Sequence, residues 1–248
     1  MTVLVGVRCS DGVVIGTDSA ATSSAGQIPL LRLSTDKIAI VDGRVIVAGT
    51  GQIGLGQRFT EIIRKAHSEK KFQLPKVELG RYIASAANSD FASTGATKGS
   101  YGALLGAPVA HTGELIEFAV SDMQPEIKDK NLSFVAMGSG QLLAEPFISF
   151  VSRVFWRGAI PDVVTAKFGV FWALSHAISC APGGIGEPIA MATLTSQKSG
   201  WEAKLLDQEA LQELQQHVQE FERELAPLRL RILEQGRPEA IPVLAASS

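Results

Sequence analysis

The sequence predicts an α+β domain in which two antiparallel sheets pack face to face and helix pairs cover their outer sides. Two observations carry this. Strand-like and helix-like patterns come in grouped runs, in the order strands, two helices, strands, two helices, strands. Such grouping argues for layered sheets and helices rather than alternating βαβ units. Short turn signals, Ser10-Asp11-Gly12 and Asp42-Gly43-Arg44, also join neighbouring strand runs, as in antiparallel hairpins. At 248 residues the chain can bury such a core without disulfides or metals.

Residues 3–9 (VLVGVRC) are apolar and β-rich, and 13–18 (VVIGTD) form the return strand around the 10–12 turn. Residues 19–36 are small and polar around a short apolar patch, which predicts a loop. KIAIV, the turn at 42–44 and VIVAGTG repeat the strand–turn–strand pattern. Over 52–70, Ile53, Leu55, Phe59, Ile62 and Ile63 recur at helical spacing, and Val77, Leu79, Tyr82, Ile83 and Ala86 predict a second helix across 76–93. Strands return at 101–108, at 114–120 after a His111-Thr112-Gly113 turn, and at 132–137. Helices near 140–157 and 161–179 follow, and strands at 188–194 and 200–206 close the set.

Beyond this domain of residues 1–206, a helical extension is expected at 207–235 and a flexible tail at 236–248. Leu211, Leu214, Val218, Phe221, Leu225, Leu228 and Ile232 alternate spacings of three and four, a heptad seam. Pro227 inside it should kink or break the helix. Two readings stand: an amphipathic helix lying on its own domain, or one that packs against a neighbouring subunit and narrows access to the chain's N-terminal site.

The bulk numbers exclude several classes. With 23 basic and 25 acidic residues the net charge is −2 and no basic stripe stands out, so nucleic-acid binding has little support. The start MTVLVGVRCSDG lacks the basic, apolar and small-residue regions of a secretory signal. No stretch reaches the ~18 uninterrupted apolar residues of a membrane span. A cytoplasmic protein is therefore expected. Cys9 and Cys180 form no CxxC and have no nearby histidine cluster, so neither zinc nor a disulfide framework is indicated. No cofactor is expected.

His67, His111, His176 and His217 lie in no HExxH motif and near no GxSxG elbow. There is no Walker A motif and no strand-linked GxGxxG. What remains is the chain start. Removing Met1 before the small Thr2 would leave a hydroxyl and a free α-amine on one residue, and threonine paired with its own amine is an activated nucleophile. At a reference pKa of about 7.7–8.0, roughly a tenth to a fifth of that amine is neutral at pH 7. A nearby lysine ammonium would raise this fraction. Pairing the first two strands brings residues 17–18 opposite Thr2, so Asp18 lies close, and Lys37 opens the next strand. An ordinary solvated surface role is the competing reading of both.

MTVLVGVRCSDGVVIGTDSAAT, DKIAI, VIVAGTG and MGSG, in this order and spacing, resemble the proteasome β-subunit family of N-terminal-nucleophile hydrolases, including its bacterial members. The similarity covers about the first 205 residues in element order. It implies the four-layer αββα sandwich of that class and a threonine peptidase. Thr2 would be the nucleophile, its amine the general base acting through a water, and Asp18 and Lys37 the charged pair beneath it. The Gly49 N–H would stabilise the oxyanion, and Ser139 would orient the amine. The resemblance implies assembly with itself into two stacked rings of six or seven subunits, a peptide or unfolded-protein substrate, and an ATPase unfoldase ring as a further partner. With Met1 directly before Thr2, maturation would need an aminopeptidase rather than autocatalysis.

The sequence also departs from the family. Active eukaryotic-type subunits carry an Asp and a Ser before a Gly-Gly pair. Here the stretch reads ISCAPGGIG, with Ser179 and Pro182 at those places. That is closer to the simpler bacterial peptidase subunit, in which carbonyls of this loop can hold a cation. Ala177, Cys180 and Gly183 would take those places. By the same resemblance the substrate pocket would be lined by Ala21, Thr35, Ala39, Val47, Gly51 and Leu55, uncharged residues suited to large apolar side chains; ordinary strand packing is the competing reading. A ring subunit that has lost peptidase activity, with Ser179 and Pro182 in its favour, and a small-molecule amidase of the same class are the alternative functions.

Overall fold

The computed structural model describes residues 2–25, 28–96, 98–181 and 183–235, with the side chains of 21–34, 226 and 228–235 outside the description. The chain opens with a hairpin, β1 (Leu4–Arg8) and β2 (Gly12–Asp18). The Cys9 N–H donates to the Gly12 carbonyl at 2.8 Å. Leu4 faces Thr17 across this pair, so Asp18 lies against Val3, one step short of the expected position opposite Thr2.

Where a loop is expected, the chain forms a two-stranded sheet of its own, β3 (Ala20–Ala25) with β4 (Ile28–Ser34). Its first strand, AATSSA, is small and polar with no apolar alternation to read; the apolar patch lies in the second, IPLLRLS. Next come β5 (Ile38–Val41) and β6 (Val45–Gly51), α1 (Ile53–Ser68), a 3-10 turn at Lys71–Gln73, and α2 (Lys76–Ser93). Asp42 and Gly43 both take positive φ, 49° and 65°, the two-residue turn that suits a twisted hairpin. Then β7 (Tyr101–Val109) and β8 (Thr112–Phe118) pair through a turn at Ala110-His111, earlier than the sequence suggests. A short β9 (Pro125–Ile127), unread in the sequence, precedes β10 (Phe134–Met137). The remaining elements are α3 (Gln141–Val154), α4 (Val163–Cys180), β11 (Ile189–Gln197), β12 (Gly200–Leu205) and α5 (Gln208–Gln235).

Two five-stranded antiparallel sheets result, in the orders β10-β1-β2-β11-β12 and β5-β6-β7-β8-β9. Residues of alternate parity in each strand face opposite sides. Leu4, Val13, Ile15, Ile46, Leu104 and Leu115 fill the space between the sheets. Val3, Val5, Val7 and Val14 face the other way, into a second core under α3 and α4. Val45, Val47, Leu105 and Ile116 meet α1 and α2 in a third. This is the four-layer αββα arrangement.

α4 is apolar around most of its circumference, because α3, α5 and the sheet all pack on it; a helix hydrophobic on every side is a buried one. Its length and apolar composition alone would suit a membrane-crossing helix, as they do for many core helices. Its start is capped by Asp162, whose carboxylate accepts from the Thr165 N–H at 2.7 Å and is held below the usual range by the Thr165 side chain together with that N–H.

α5 lies on its own subunit. Leu214 and Val218 are buried where α5 packs on α4 and β11, Phe221 meets Phe155, Phe168 and Trp172 edge-on, and Trp172 Nε1 donates to Glu222 at 2.7 Å. The break expected at Pro227 does not occur; the helix continues to Gln235. The side chains of Leu228 and Ile232, the tail 236–248 and Pro182 lie outside the described residues.

Candidate active site

Five separate segments meet at one end of the gap between the two sheets. Thr2 precedes β1 and is buried. Its backbone N–H donates to Ser139 Oγ at 3.1 Å, and its carbonyl accepts from the Gly140 N–H at 3.1 Å. Ser139 belongs to the Gly138-Ser139-Gly140 turn between β10 and α3. Gly138 takes φ +86°, and a Cβ there would stand 2.3 Å from the Thr2 carbonyl oxygen. Only glycine lets this turn close on Thr2.

Beneath Thr2 lies Asp18, fully buried at the end of β2. Its Oδ1 accepts from the Val3 N–H at 2.9 Å and from Lys37 Nζ at 2.7 Å. Its Oδ2 accepts from the N–H groups of Ala20 and Gly186, both at 3.2 Å. A buried carboxylate needs such donors to remain charged. The Lys37 side chain is nearly as buried, at 7% exposure. Burial lowers its pKa from the ordinary lysine value, and the bond to Asp18 opposes that drop. The pair is an ion pair held away from water, in which the loss of one partner would leave the other buried and uncompensated.

Gly49, at the end of β6, faces Lys37 across the strand pair. Its N–H donates to the Lys37 carbonyl at 3.3 Å, a long bond for an amide. The amide assigned by resemblance to the oxyanion thus already has a partner within the ladder.

A cavity of about 540 Å³ opens beside these groups. Of the residues expected to line the substrate pocket, Thr35, Ala39, Val47 and Gly51 do so. The side chain of Ala21 lies outside the described residues. Leu55 does not line the cavity: it is turned into the core under α1, because the first turn of the helix after β6 points that position at the sheet. The wall also holds residues the sequence did not single out, among them Tyr101, Gln57, Thr60 and the carboxylates Asp36 and Glu61. The lining is therefore less uniformly apolar than expected. Nothing local marks Tyr101; it arrives through the β6–β7 register, which sets it opposite Gly51. Gly186 likewise reaches Asp18 only through the fold.

Ser179 is not among these residues. It sits exposed on the last turn of α4, and its hydroxyl donates to the His176 carbonyl at 2.8 Å. Helix geometry gives a serine near a C-terminus that nearby acceptor. Ala177 and Cys180 share this last turn, whose carbonyls have no helical partner beyond the end, and Gly183 follows it. Among the described residues no three His, Cys, Asp or Glu side chains gather as a metal site.

A profile of the family described as Proteasome subunit matches residues 2–149. The chain belongs to the proteasome subunit family. The matched part of this proteasome-type subunit begins at Thr2, contains Asp18, Lys37, Gly49 and Ser139, and ends within α3, before the Ser179 segment. A search of curated proteins finds no match to the chain.

Proposed function

We propose that this proteasome-type subunit is a threonine-type endopeptidase whose nucleophile is Thr2 after removal of Met1. The observation that carries the reading is the convergence of Ser139 and the buried Asp18–Lys37 pair around Thr2, which with Lys37 lines one cavity. In this scheme the freed Thr2 amine takes the hydroxyl proton as the oxygen attacks the scissile carbonyl carbon. The same amine then protonates the leaving nitrogen as the C–N bond breaks, and water hydrolyses the resulting ester. Ser139 orients the amine, and the Lys37 ammonium favours its neutral form. The Gly49 N–H would share its hydrogen bond between the Lys37 carbonyl and the oxyanion, a three-centre arrangement that proteins use elsewhere.

The assembly in this reading is a cytoplasmic double ring of six or seven copies per ring, with the sites facing an enclosed chamber. Its substrates would be peptides or unfolded protein, delivered by an ATPase unfoldase ring. A second reading, a ring subunit with little or no activity, is favoured by two observations: the Gly49 amide is engaged, and Ser179 is turned toward His176.

Intact-protein mass and peptide cleavage together test the choice. The expected result is loss of Met1, a native mass of a double ring, cleavage by the native protein and none by Thr2→Ala of equal native mass. Cleavage that survives in Thr2→Ala, or an active assembly retaining Met1, would overturn the threonine mechanism. A Met1-free ring with no cleavage would establish the second reading.

A further inference from the structure

Tyr101 is almost fully buried, yet it lines the same cavity as Thr2. Its ring is wedged between Phe59 and Phe91, with centroids 5.6 and 6.0 Å away, so the side chain has little freedom to turn. Its hydroxyl is directed at two glycines of the cavity wall. The oxygen stands 2.1 Å from where a Cβ on Gly49 would be and 3.5 Å from where one on Gly56 would be. Missing side chains at both positions are what let the phenol reach the cavity. No group among the described residues hydrogen-bonds this hydroxyl, and the oxygen is not sealed from the cavity. Burial raises the phenol far above its ordinary pKa, so it stays a neutral group able to donate and accept.

From this geometry we infer that Tyr101 is a specificity-determining residue: its hydroxyl hydrogen-bonds the end of the substrate side chain that enters the Thr2 cavity. The preferred side chain is long and uncharged, with an apolar stem and a hydrogen-bonding end, as in glutamine. The inference rests on the peptidase reading. Ile38, Ala39 and Val47 offer the stem apolar contact. A charged end would be buried against a neutral phenol, which cannot compensate it. Asp36 and Glu61 are exposed, where water and salt screen them. Lys37 is paired with Asp18. An apolar end of the same length would leave the buried hydroxyl unmatched, which is how a polar site rejects an apolar analogue.

The test uses the assembled protein and two fluorogenic peptides that differ only in glutamine or methionine on the acyl side of the scissile bond, with a lysine peptide as a third probe. The expected result is a higher kcat/KM for glutamine than for methionine or lysine. Tyr101→Phe, with native mass and melting temperature checked, should lower the glutamine-to-methionine ratio by about tenfold, the worth of one neutral hydrogen bond. An unchanged ratio would overturn the inference. So would an equal loss on both peptides, which would place the hydroxyl's effect at the reacting carbonyl. A lysine preference that survives Tyr101→Phe would also overturn it and assign selectivity to the rim carboxylates. If the ring forms but cleaves none of the peptides, the peptidase reading itself fails, and this inference falls with it.

Discussion

Asp18 joins the site to the fold. Its carboxylate accepts from three backbone N–H groups, on Val3, Ala20 and Gly186, and from the Lys37 ammonium. Asp18→Ala leaves all four donors in a dry environment, and removing one partner of a buried pair costs about 3–5 kcal/mol. A clearly lower melting temperature is expected by calorimetry; an unchanged one would mean that water replaces the carboxylate. Ser139→Ala removes the hydrogen bond to the Thr2 nitrogen and the longer one that the hydroxyl donates to the Thr2 carbonyl at 3.4 Å, and about a tenfold fall in kcat with native mass retained is expected in a peptide-cleavage assay. The pH profile follows from the same residues. Below the amine's pKa, about 7.7–8.0 before any shift, the rate should rise with pH, and the Lys37 ammonium moves that limb to lower pH. Lys37 is charged below its own pKa, which burial lowers from the lysine value of 10.5. Activity should therefore fall as pH rises through a value under 10.5, as the ammonium and its pairing with Asp18 are lost. Activity that keeps climbing past pH 10.5 would contradict a role for the charged lysine.

Among the elements, β6 and β7 place the cavity's wall. Their register sets Gly51 opposite Tyr101 and brings the phenol against Gly49. Gly49→Ala would force a methyl into the tyrosine hydroxyl, and overpacking of this kind costs about 1–3 kcal/mol. Lower thermal stability and lost cleavage are expected together, because the ring can yield only toward the cavity or into Phe59. α5 has a different job. Its seam residues Leu214, Val218 and Phe221 cover α4 and the aromatic cluster around Trp172. Deleting 208–248 uncovers this surface, so a lower melting temperature and self-association are expected by calorimetry and light scattering. An unaltered protein would show that the helix is dispensable to the subunit. Beyond Phe221 the seam continues to Leu225, still 38% exposed.

At the scale of the molecule, large apolar side chains remain on the outer helices. Leu142, 86% exposed, and Phe150, 41% exposed, lie eight residues apart on α3, a spacing that shares one helical face. Exposed apolar residues gathered on a face mark contact surfaces, and proteasome-family subunits assemble with one another. Leu142→Glu combined with Phe150→Glu should therefore reduce the native mass while leaving the subunit's melting behaviour little altered, as mass photometry and calorimetry would read. Assembly of unchanged mass would place the contact elsewhere, on Ile53 or Val77, for example, which are also exposed.

The layered α+β class, all five helices and most strands were legible because their cues are local. Apolar residues at 53, 55, 59, 62 and 63 can repeat only as a helix, and Asp42-Gly43 can turn only tightly. Thr2, Asp18 and Lys37 were legible through the chain start, one hairpin and a family resemblance. The β3–β4 pair was not, since β3 is small and polar with no alternating apolar pattern, and neither was the continuation of α5 through Pro227. By itself, then, the sequence determined the layers and the grouping of strands and helices, and it singled out Thr2 as the proposed nucleophile. Only the tertiary structure decided that Gly186 reaches Asp18, that Ser179 turns to its own helix, and that Tyr101 comes to the cavity wall. Each of these depends on which distant backbones pack side by side, and strand register and helix docking are set by the whole core rather than by any local run of residues.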